Sequence, residues 1–142
     1  MSIAMSSSVW PATPSETLAP RLLRAYRATR YRAGGCAIRI GRRSDAALDA
    51  RCAVLLTAWN PQSRHMPRGW NQRMQCRLRA QLRRFRVVEA DGSLHGWHEA
   101  MLLVVGPEPP LLRLASRFRQ RAVVILRRGQ PARLRVLGGG PG

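Results

Sequence analysis

The stretch Val54-Leu55-Leu56-Thr57-Ala58-Trp59-Asn60-Pro61-Gln62-Ser63 constrains the fold more than any other. From Val54 to Trp59 it is largely apolar on both alternating faces, which suits a strand in the middle of a sheet. Pro61 stops that strand, because proline has no N–H to give to a ladder. A loop follows, and Pro67 then suits the opening of a helix, where a missing N–H is harmless. Trp70, Met74, Leu78 and Leu82 recur at helical spacing with Phe85 beyond, so this helix is predicted to lay one stripe on a core. Arg73, Arg77 and Arg84 lie on one flank of it, and Arg79, Arg83 and Arg86 on the other. Ligands tend to meet a protein where strands end and helices begin, which makes the loop a natural place for a site.

The rest of the chain organises around this unit. Pro20 opens an earlier helix with Leu18, Leu22, Ala25 and Tyr26 near one face, expected to end before Gly34-Gly35. Cys36 to Ile40 alternates weakly and reads as a strand, and Ser44 suits the cap of a short helix carrying Ala46, Ala47 and Leu48. Val87-Val88 starts a strand, Asp91-Gly92 signals a turn, and Met101 to Val105 is a second buried strand ended by Gly106-Pro107. Leu111, Leu114, Ala115 and Phe118 predict another core helix. Ala122 to Leu126 and Leu134 to Leu137 read as strands, joined through Arg128-Gly129-Gln130-Pro131. The expected class is α+β: a mixed β-sheet with helices mainly on one face, in a ferredoxin-like βαββαβ order with an extra strand at each end. Residues 1–15 read as a disordered tail, 16–137 as a single domain and 138–142 as a flexible tail.

Charge narrows the partners. The net charge is +18, from 25 basic residues against 7 acids, and every basic residue is arginine. A GC-rich codon usage accounts for arginine in place of lysine, but not for the scarcity of acids. Arginine binds phosphate bidentately and stacks on bases, so nucleic acid or another polyanion is the first expected partner and an acidic protein the second. No apolar run approaches the ~20 residues of a membrane span, and Met1 to Ser8 lacks the pattern of a secretory signal. The expected location is cytoplasmic, with no membrane partner. Cys36, Cys52 and Cys76 are far apart and form no Cys-x-x-Cys pair. They read as small apolar residues.

Several pieces together resemble a bacterial family known as domain of unknown function 3293. They are Tyr26-x-x-Thr29-x-Tyr31, Ile40-Gly41-x-x-Ser44, Thr57-Ala58-Trp59-Asn60-Pro61-x-Ser63, then Asn71, Trp97-x-Glu99, Phe118-x-Gln120-x-Ala122 and a Gly-x-Pro near the end. The resemblance covers about residues 24–137, and Ala-Trp-Asn-Pro is its most specific part. It implies a grouping and no activity. Similar sequences usually carry serine at the position of Pro67, an acid at Trp70 and glycine at Arg119, so a mechanism needing that acid is in doubt here.

No nucleophile triad, phosphate loop, dinucleotide fingerprint or paired-carboxylate motif is present, and no cofactor is expected. His95, His98 and Glu99 cluster in sequence, but in an extended segment His98 faces away from the other two, so no metal site is expected. Two function classes remain open. The leading one is a non-enzymatic nucleic-acid or polyanion-binding protein using Arg73, Arg77, Arg79, Arg83 and Arg84. The alternative is a small-molecule-binding domain or enzyme, its pocket at the Trp59-Asn60-Pro61 loop lined by Trp59, Asn60, Ser63, Asn71, Trp97, Glu99 and Gln120. For the polar members of that set the competing role is to staple the loop through side-chain-to-backbone hydrogen bonds.

Overall fold

A computed structural model describes residues 18–44 and 51–138. The N-terminal tail, the short helix expected after Ser44 and the end of the glycine tail lie outside the described residues. Within them the elements are α1 (Pro20–Ala28), β1 (Arg30–Ala33), β2 (Cys36–Ile38), β3 (Cys52–Leu56), α2 (Arg68–Gln81), β4 (Arg86–Leu94), β5 (Trp97–Val105), α3 (Glu108–Arg117), β6 (Ala122–Arg127) and β7 (Arg133–Val136). A 3-10 turn, Pro61–Ser63, sits between β3 and α2.

The protein is α+β, with a seven-stranded sheet in the order β2-β1-β4-β5-β3-β6-β7. All six strand pairings are antiparallel, which corrects the expectation of a mixed sheet. The reason lies in the connections. β3 and β4 run parallel across the α2 crossover, but β5 folds back in a hairpin and inserts between them. β6 runs parallel to β5, yet β3 separates those two. An isolated parallel bridge joins Ile40, just past β2, to Ala132, just before β7. Gly41 N–H donates to Ala132 O at 2.8 Å and Ala132 N–H to Arg42 O at 2.9 Å, so the sheet curls until its two edges meet.

Alternation along β3 divides the interior. Ala53 and Leu55 join a core with Leu22 and Tyr26 of α1, Tyr31, Ile38, Met101 and Val124. Val54 and Leu56 join a second core with Leu78 of α2, Leu82 at its C-terminal cap, and Leu111, Leu114 and Ala115 of α3. Met74 and Phe85 pack against that second core, whereas Trp70, one turn earlier, is half-buried and belongs to neither.

Two local features differ from expectation for physical reasons. The first helix ends before Gly34-Gly35 as expected, but already at Ala28, and a strand not foreseen follows it: Thr29 leaves the helix with ψ 138°, and its hydroxyl donates to Ala25 O at 2.7 Å. Arg30–Ala33 is therefore a strand, its hairpin to β2 turning on Gly34-Gly35, both at positive φ. Two extra strands, not one, thus precede the β3 unit. Asp91-Gly92 is no turn either, because both residues lie inside β4. A Cβ on Gly92 would stand 3.2 Å from the Tyr31 ring and 3.3 Å from Met101 Sδ, so this glycine makes room for an aromatic ring. The hairpin turns at His95-Gly96 (φ 47° and 80°), between Leu94 and its partner Trp97. Positive φ at both residues is what a tight two-residue hairpin requires.

Candidate functional site

Beyond Leu56 the chain leaves the sheet along a set of side-chain hydrogen bonds. Thr57 Oγ1 donates to Ala100 O of β5 at 2.7 Å and accepts from Trp59 N at 3.0 Å. Gln75 of α2 accepts from Ala58 N at 2.8 Å and donates to Ala100 O at 3.3 Å, clamping the helix onto the end of β3. Asn60 then turns into the left-handed region (φ 47°), which asparagine tolerates better than most residues.

Asn60 and Asn71 are joined reciprocally. Asn71 Oδ1 accepts from Asn60 N at 2.9 Å, and Asn71 Nδ2 donates to Asn60 Oδ1 at 3.0 Å and Met66 O at 3.2 Å. Asn60 Oδ1 also accepts from Met66 N at 3.0 Å. Both asparagines are only 2% exposed. They hold a loop closed around the first turn of α2, and every bond between them is buried where water does not compete.

Gln120 reaches the same loop from another element. α3 ends in a Schellman cap: Arg119 N donates to Ser116 O at 3.0 Å and Gln120 N to Ala115 O at 3.1 Å. The cap aims Gln120 back, so that its Nε2 donates to Trp59 O at 3.2 Å. Arg119 occupies the left-handed position (φ 57°) that glycine adopts most easily, so the cap closes against a steric penalty. Arg119→Gly is expected to raise stability by about 1 kcal/mol, read as an increased urea midpoint with unchanged slope.

The seven residues proposed from sequence fall into two groups. Trp59, Asn60, Ser63, Asn71 and Gln120 belong to the loop or hydrogen-bond to it. Among the described residues, Trp59 Nε1, Ser63 Oγ and Gln120 Oε1 are buried side-chain atoms without a hydrogen-bond partner. Trp97 and Glu99 instead point from β5 into the first core, where Trp97 packs at its margin and Glu99 is 1% exposed. His95 and His98 are exposed, so the sequence cluster His95-x-x-His98-Glu99 is dispersed in space.

Glu99 has neighbours that sequence reasoning did not single out as site residues. Tyr31 is opposite Gly92, and Gly92 is opposite Glu99, which places all three in one row across the sheet. Burial holds the Tyr31 phenol well above the ordinary tyrosine range; negative charge on Tyr26 and, more weakly, on Glu99 adds to the rise, against a hydrogen bond to Thr29. Burial pulls the Arg121 guanidinium downward, with Tyr26 opposing. Tyr26, Tyr31, Glu99 and Arg121 thus form a titratable group on the inner side of the curl. The signal in the sequence was the Tyr26-x-x-Thr29-x-Tyr31 motif, in which two phenols sit among core positions.

The arginines of α2 are arranged differently. Arg73, Arg77, Arg83 and Arg84 are exposed, while Arg79 pairs with Glu89 of β4. Arg73 and Arg77 line a shallow concavity of about 470 Å³ with Gly69, Gln72 and Cys76.

Residues 56–123 match the family described as protein of unknown function (DUF3293). Over that segment, a little under half of the chain, the protein is similar to the DUF3293 family. The matched segment runs from the last residue of β3 to the second of β6, and contains all seven loop and core candidates and the α2 arginines. Comparison with curated proteins and with solved structures gives no match. Among the described residues, no helix is long and apolar enough to cross a membrane.

Proposed function

We propose that this protein is a non-enzymatic binding domain whose α2 face engages nucleic acid or a comparable polyanion. The observation that carries the reading is the exposure of Arg73, Arg77, Arg83 and Arg84 on and just beyond one helix, with a single acid, Glu89, taken up by Arg79. Guanidiniums so placed can follow a phosphate backbone, releasing its counterions as they bind. The packing of α2 and α3 into one core beside strands in the order β4-β5-β3-β6 favours a ferredoxin-like βαββαβ unit extended by β1, β2 and β7. On that scaffold α2 is an outer helix with one face free. A cytoplasmic setting belongs to the same reading. Fluorescence anisotropy of labelled single-stranded and duplex oligonucleotides at two salt concentrations tests it. Binding that survives moderate salt and prefers one form is expected; weak binding lost equally for every form would reduce the effect to bulk charge attraction.

A second reading rests on Trp59 Nε1, Ser63 Oγ and Gln120 Oε1, buried and without a hydrogen-bond partner among the described residues. Such groups are costly unless something satisfies them. They suit a small polar ligand offering both an acceptor and a donor, seated at the Trp59-Asn60-Pro61 loop. A thermal-shift screen of small polar metabolites is expected to find a stabiliser whose effect is lost in Ser63→Ala. Stabilisation that persists in that variant, or none across the screen, would remove the reading.

A further inference from the structure

Pairing of β1 with β2 places Tyr31 opposite Ile38 and Arg32 opposite Ala37. Arg39 follows directly after the end of β2, and Arg30 is the first residue of β1, so both lie next to the Tyr31–Ile38 pair. On its other side Arg30 is opposite Ser93 of β4. Tyr31 and Ile38 face the first core, so Arg30, Arg39 and Ser93 share the opposite face. Like charges brought close on adjoining segments repel each other. Here neither arginine is relieved by an ion pair with a described acid.

Both arginines line one concavity of about 420 Å³, together with Ser93, His95 and Gly96, and among the described residues no acid lines it. The tight β4–β5 turn forms its rim, and holds His95 in the left-handed region at φ 47°. That conformation is uncommon for a residue with a Cβ. We propose that this concavity is a binding site for a phosphomonoester. Two guanidiniums lining one concavity suit a dianion better than the single charge of a phosphodiester, because each can donate bidentately to separate oxygens. The Ser93 hydroxyl supplies a further donor. The volume accommodates the phosphate and part of what it is attached to. The site shares no residue with the α2 face and does not rest on that reading.

The phosphomonoester has two sources, a free nucleotide or the phosphorylated end of a strand. The test is an amide chemical-shift titration of the full chain with AMP, with adenosine, and with short oligonucleotides bearing a 5′-phosphate or a 5′-hydroxyl. AMP or the phosphorylated oligonucleotide is expected to shift Ser93, His95 and Gly96 and to saturate, while adenosine and the 5′-hydroxyl strand leave them in place. Saturation by AMP identifies the nucleotide as sufficient; saturation by the phosphorylated strand alone assigns the site to strand ends. Arg30→Gln and Arg39→Gln should each weaken this binding about tenfold, whereas Arg73→Glu should not. Equal responses to AMP and adenosine, shifts confined to α2, or full affinity in both glutamine variants would overturn the proposal. So would the absence of saturable shifts with every phosphorylated probe.

Discussion

Asn71→Leu is expected to lower stability by about 3 kcal/mol, shifting the urea midpoint by roughly 2 M. The substitution keeps the branching of the side chain but replaces the amide with bulkier methyl groups, so lost hydrogen bonds and crowding both contribute. It strips Asn60 N–H of its acceptor and Met66 O of its donor inside a site where both asparagines are 2% exposed. Each buried group left unsatisfied costs about 1–3 kcal/mol. Asn71→Asp separates charge from packing. The carboxylate can still accept from Asn60 N, but its second oxygen then faces Asn60 Oδ1 and Met66 O, two acceptors. That environment raises the folded pKa of the new acid above its unfolded value of about 3.9. Its cost relative to the parent protein should therefore be small below that value and grow as pH rises through the folded pKa. Urea titrations of both variants at acid and neutral pH check this. A loss under 1 kcal/mol in Asn71→Leu would show that the paired asparagines do not hold the loop.

Much of the architecture was legible in the sequence where one signal dominated. β3, β5 and β6 are apolar on both faces, because each lies inside the sheet between two cores. α2 and α3 follow from Leu78 and Leu82, and from Leu111, Leu114 and Ala115. The failures are places where a tertiary contact outranks a local signal. Asp91-Gly92 has the composition of a hairpin turn, yet Gly92 serves the Tyr31 ring, which comes from a strand sixty residues of chain order earlier in the same core row. β1 is short and follows a helical stripe without a break in hydrophobicity, so only the Thr29 cap separates them.

The candidate site was legible as a set of residues and not as an arrangement. Asn60, Asn71 and Gln120 were singled out, but their mutual bonds depend on an eleven-residue excursion and on the Schellman cap at Arg119. Glu99 was grouped with the loop, while β5 carries it into the first core beside Tyr31. The Arg30–Arg39–Ser93 concavity could not be read at all, since strand register alone brings its members together.

The second large effect concerns the charged face. Arg73→Glu, Arg77→Glu and Arg84→Glu together should leave the fold intact, because all three side chains are exposed and none belongs to either core. Arg79 is left in place because it is tied to Glu89. If three phosphate contacts are lost and replaced by repulsion, affinity for an oligonucleotide should fall by at least about a hundredfold. Substitution of uncharged glutamine at the same positions should give a smaller loss in the same direction.

The most direct test is the slope of log affinity against log salt for the parent protein and for the triple glutamate variant, using one oligonucleotide. The arginine-face account predicts a steep parent slope and a variant slope shallower by about three, with far-ultraviolet circular dichroism unchanged. Parallel slopes and equal affinities in a folded variant would contradict it.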